Sequence, residues 1–102
     1  MTLCVKEYRL GEDIRTGLGV RVSRVNIPSD YKILGIYSRG DMPVLMALIN
    51  PKTRTLTDVE ILSIYGGFQT EENIDEYIGD CHLRKGTTLF HFFTLKNNGD
   101  ES

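Results

Sequence analysis

"YKILGIYSRGDMPVLMALINP", residues 31–51, holds two apolar runs, Tyr31 to Tyr37 and Val44 to Ile49, on either side of Ser38, Arg39, Gly40 and Asp41. A glycine beside an aspartate, flanked by runs of branched and aromatic residues, is the chemistry of a β-hairpin: the turn needs a residue free to take positive φ. The second run is apolar on both faces of its pleat, as in a central strand covered on two sides. This hairpin belongs in the middle of the fold, and the fold is mainly β.

The neighbouring segments follow the same grammar. Upstream, "CVKEY" puts Cys4, Lys6 and Tyr8 on one side and Val5 and Glu7 on the other, a first strand suited to a sheet edge. "GEDIRTGLG" carries three glycines and reads as a loop. In "VRVSRVNIP" the apolar phase moves by one between Val22 and Val25, which predicts a bulge or a crossing between sheets. Downstream, "NPKTRT" makes a turn, "LTDVEILSIY" another strand, and Gly66 with Gly67 breaks it. "TEENIDEY" offers Thr70 as an N-cap with Glu71 and Glu72 in a first turn, so it is the one candidate for a short helix. "YIGDCHLRKGTTLFHFFTL" closes with a second hairpin at Lys85 and Gly86. The expected architecture is about seven antiparallel strands in a small sandwich or open barrel, with at most one short helix. Residues 1–96 form its single domain, and 97–102 a flexible polar tail.

Composition bounds the function. With 102 residues, 40% hydrophobic, 25% charged and a net charge of −2, the chain can bury one core and carries no global pull toward phosphate backbones or anionic bilayers. Nucleic acid is not the expected partner. Lys6, Glu7 and Arg9 interrupt the first ten residues, and no run approaches a membrane span, so a cytoplasmic protein is expected. Cys4 and Cys81 read as small apolar residues rather than as a bridge or a metal pair.

Two segments resemble an uncharacterised small all-β domain family of bacterial and phage genomes. In the first, Ile33, Leu34, the Gly40 turn, Pro43, Val44, Leu45, Ala47, Leu48 and Pro51 fall at the family's pattern; in the second, Tyr77, Ile78, Gly79, Leu83, Gly86, Phe90, His91 and Phe93 do. The resemblance covers residues 25 to 95. It implies an all-β fold and a phage or prophage setting, and no reaction. Where the family often carries a Gly, Thr, Gly, His, Pro turn, this chain has "YGGFQ", residues 65–69, with Phe68 near the place of the missing histidine.

Within "GTTLFHFFTL", residues 86–95, strand alternation puts His91 in a row with Leu89, Phe93 and Leu95. A neutral imidazole in an apolar row needs polar contacts, and counting back from the Lys85–Gly86 turn sets Asp80 directly across from it. An Asp–His pair is two thirds of a hydrolase triad and half of a metal site, yet Cys81 and His82 point to the other face and no serine sits in a nucleophile elbow. The leading role for His91 is structural, and a ligand site around His91, Asp80 and Phe68 is the alternative. No catalytic set, metal motif or cofactor loop emerges: the glycines of "GLG" and "YGG" lack the offsets of a phosphate cradle, and "RGD" at 39–41 is a hairpin tip.

Glu71, Glu72, Asp75 and Glu76 form an acidic stretch, a solvated face or a surface for a basic partner, with Tyr65 and Phe68 as aromatic anchors. Arg15, Arg21 and Arg24 make a smaller basic counterpart, which leaves a homodimer open. The expectation is a non-enzymatic phage or prophage accessory protein that binds and modulates a host protein, for example to inhibit a defence system. The rival is a small-ligand-binding, sequestering domain or a small hydrolase with its site at His91.

Overall fold

The hairpin of residues 31–51 is the spine of one of two sheets. In this computed structural model, which describes residues 2–96, the strands are β1 (Cys4–Arg9), β2 (Asp13–Gly17), β3 (Val20–Pro28), β4 (Lys32–Arg39), β5 (Met42–Ile49), β6 (Leu56–Tyr65), β7 (Ile74–Leu83) and β8 (Thr88–Leu95). Every ladder is antiparallel. The strand orders are β1-β5-β4 in a three-stranded sheet and β2-β3-β6-β8-β7 in a five-stranded one. Among the described residues no helix is long and apolar enough to cross a membrane.

The two sheets face each other over one core. Leu45, Ala47 and Ile49 of β5 meet Val25, Ile27, Val59, Ile61, Phe90 and Phe92 of β3, β6 and β8, and Leu10 and Leu83 fill the ends. Strand alternation sends the strand residues among these inward, and burying one large apolar side chain stabilises by about 1.5–3 kcal/mol. On one flank β4 packs along β7 without a ladder. Both strands are bulged there, between Ile33 and Gly35 and between Tyr77 and Gly79, and a Cβ on Gly79 would stand 3.7 Å from the Ile36 nitrogen. Bulges bend strands, so the two sheet edges lean onto each other. On the other flank β1 and β2 are edges with no ladder between them. The result is a sandwich closed along one side, the expected mainly-β class.

Several local expectations change. The glycine-rich loop contains β2, because Arg15, Thr16 and Gly17 pair with Val22, Arg21 and Val20. The phase change in β3 is neither a bulge nor a crossing, since its ladder to β6 is unbroken from Val20 to Pro28. Instead Val25 and Ile27 enter the inter-sheet core while Val20 and Val22 pack on the outer face, in a second cluster with Leu62, Phe93, Leu95, Ile14 and Ile74. The bulge lies in β2, between Asp13 and Arg15. β5 is the central strand of its sheet, and its outer side is covered only in part among the described residues: Val44 is buried there while Met46 and Leu48 are half-buried. Cys4 is exposed, so only Cys81 acts as a core residue. The expected tail, 97–102, lies outside the described residues.

The short helix does not form. Thr70 does accept a hydrogen bond from the Glu72 amide at 3.1 Å, as an N-cap would, but Ile74 onward pairs with β8 and continues as β7. β6 and β7 run parallel on either side of β8, so residues 66–73 must travel from the level of Tyr65 to that of Leu95. Glu72 meets Arg15 and Ile74 joins the outer cluster, which makes this connection a strap over the outer face.

Candidate functional site

Four connections gather at one end of the sandwich. The turn at Gly40–Asp41 and the turn at Lys85–Gly86 both have positive φ at their two central residues, the mirror-image geometry that suits hairpin twist. The Asp41 carboxylate accepts from the Lys85 amide at 2.9 Å and ties the two tips together. Nearby, the Tyr65 amide donates to the Gly19 carbonyl at 2.9 Å, joining the β2–β3 turn to the end of β6. Gly19 has φ 70, and a Cβ there would fall 2.3 Å from Phe68 Cγ, so only glycine lets that ring seat.

The seated ring extends an aromatic row. Phe68 lies 5.5 Å from Tyr65 and Tyr65 5.8 Å from Phe90, all in offset, tilted contacts. Tyr65 stays 40% exposed while Phe90 is buried. The Arg84 guanidinium lies 6.0 Å from the Phe90 ring and has no carboxylate partner among the described residues. Arg21 enters from β3, with Asp13 Oδ2 at 3.8 Å. Two adjoining cavities, of about 470 and 250 Å³, share Asp13, Arg21, Arg84 and Phe90 in their walls. The first opens onto Tyr65 and Phe68, and the second runs inward between the sheets past Ser23 and Ser63. Arg84 holds φ 54 and Lys85 φ 58, a conformation that costs a non-glycine residue on the order of 1–2 kcal/mol. Such strain concentrates where geometry is used.

The expected Asp80–His91 register is present, but the two side chains are joined through a third. Tyr77 donates its hydroxyl proton to Asp80 Oδ2 at 2.9 Å and stands 3.3 Å from His91 Nδ1. That proton being committed, a neutral His91 ring must carry its own proton on Nδ1 to complete the chain. Burial, then the bond to Asp80, pushes the Tyr77 phenol up from its ordinary range. This group sits on the outward face of β7 and β8, with Tyr77 half-exposed. Phe68 parts from it: His91 and Phe90 are successive residues on opposite faces, and Phe68 belongs with Phe90. Among the described residues no group of three or more His, Cys, Asp or Glu is placed to hold a metal.

The acidic stretch is divided. Arg15 grips both Glu72 oxygens at 2.8 and 3.1 Å and reaches Glu60 at 2.8 Å, which raises its guanidinium pKa, and Arg24 also faces Glu60. The expected basic counterpart is therefore met within the chain. Asp75 and Glu76 line the groove between β4 and β7 beside Tyr31, whose phenol is pushed up by burial and by both acids. Glu71 remains exposed.

Sequence reasoning missed Tyr77 and Arg84. Plain alternation puts Tyr77 and Asp80 on opposite faces; the bulge before Gly79 brings them together. Arg84 is a functional candidate only once the turn and the Phe90 ring meet. Comparison of the chain with protein-family models, curated proteins and solved structures finds no match.

Proposed function

We propose that this chain is a non-enzymatic binding protein, an accessory factor of phage or prophage origin that modulates a host protein, for example one of a defence system. The observation that carries the binding role is the open edge of β1. Among the described residues its outer side has no strand, and Lys6 and Arg9 have no carboxylate partner; Leu3 and Val5 are 47% and 57% exposed. Glu7 is already taken by Arg39 and by the Tyr37 hydroxyl. An extended segment that alternates apolar and acidic residues fits such an edge, adding a strand through main-chain hydrogen bonds. The phage setting is supported by the resemblance of the two hairpin segments alone.

The test uses Cys4, which is exposed on β1. A photo-crosslinker attached there should capture a discrete bacterial protein from lysate, and Val5→Glu, which sets a charge against an acidic strand, should reduce capture at least tenfold. Equal capture by both forms, or none by either, would overturn the reading.

A further inference from the structure

The cleft at the hairpin end plays no part in the β1 proposal, and its chemistry is specific. A row of tilted aromatic rings partly open to water, a guanidinium with no carboxylate partner among the described residues and a carboxylate at the wall are three different recognition elements in one place. Aromatic rings stack on nucleobases of any kind, and arginine binds phosphate through its fork of donors. Asp13 accepts from the Ser23 hydroxyl at 3.4 Å and has Arg21 at 3.8 Å, and its remaining lone pairs can accept from ring N–H or amino groups. The outer cavity, about 470 Å³, suits a mononucleotide rather than a folded partner.

We propose that this cleft binds a nucleoside phosphate, with the base against Tyr65 and Phe68 and the phosphate on Arg84. The arrangement is prebuilt. Gly19 seats Phe68, and the Lys85 amide bond to Asp41 fixes the turn that carries Arg84. Two consecutive left-handed non-glycine residues hold that turn, where glycine would sit without strain.

The strain also supplies the control. Arg84→Gly suits φ 54, so it should fold with an unchanged or higher melting temperature while losing the phosphate contact. With 15N-labelled full-length protein, AMP, GMP, CMP and UMP would be titrated beside adenosine and inorganic phosphate. At least one nucleotide should give saturable shifts at the amides of Gly19, Tyr65 to Phe68 and Arg84, and bind tenfold or more tightly than adenosine or phosphate alone. Arg84→Gly and Phe68→Ala should each weaken it at least tenfold. Absence of saturable shifts with every nucleotide, shifts confined to another face, or affinities untouched by both substitutions would overturn the proposal. Adenosine binding as tightly as AMP would overturn the role of Arg84.

Discussion

Tyr8 carries the one buried polar side-chain atom without a hydrogen-bond partner among the described residues, its phenolic oxygen. The ring packs against the inter-sheet core and Lys6 lies 5.3 Å over it, while burial, then the charge of Cys4, pushes the phenol up from its ordinary range. An unsatisfied buried hydroxyl costs about 1–3 kcal/mol of desolvation, and replacing it by hydrogen keeps the ring's packing. Tyr8→Phe is therefore expected to leave the protein as stable or to stabilise it by about 1 kcal/mol in urea unfolding. A loss of 1 kcal/mol or more would mean that the hydroxyl is bonded in solution.

At the scale of elements, glycine placement separates structural turns from the candidate cleft. Gly17 has open space around the position of a Cβ, whereas Gly19, two residues on, has positive φ and the Phe68 ring against it. Gly17→Ala should change stability by less than about 0.5 kcal/mol, as surface substitutions do. Gly19→Ala should cost about 2 kcal/mol or more, from the left-handed backbone and the displaced ring, read by denaturant midpoint. Equal effects at both sites would remove Gly19 as the seat of Phe68. The elements that were legible in the sequence are those dense in branched and aromatic residues between turn signals: β5, β6 and β8 announce themselves through Val44 to Ile49, Leu56 to Tyr65 and Leu89 to Phe93. β2 was not legible, because Ile14 is its one apolar residue and Gly17, with Gly11 and Gly19 on either side of the strand, imitates a loop. The start of β7 imitates a helix, since Thr70 and its acids carry real capping chemistry, yet pairing with β8 outweighs so short a helical signal. The site was half legible for the same reason: Asp80 across from His91 follows from turn geometry, whereas Tyr77 depends on a bulge and the Arg84–Phe90 contact on tertiary packing.

For the whole molecule, the way strands are covered sets the order in which it opens. β6 is bonded on both sides, to β3 and β8, and contributes Ile61 and Leu62, which are 1% and 0% exposed. β1 and β2 are bonded on one side only, and most of their residues face water. β7 is an edge too, but it leans on β4 and carries Asp75, Glu76 and Asp80, charges that discourage a foreign strand. β1 lacks such acids apart from the engaged Glu7, so it is the edge most open to pairing. Local opening draws on strands with few buried contacts, so native-state hydrogen exchange should release the amides of β1 and β2 first and those of β6 and β8 last, with protection differing by at least a hundredfold. Uniform protection across all eight strands would mean that the sandwich opens only as a unit, and the β1 edge would then have to accept a partner strand as a rigid template rather than by yielding to it.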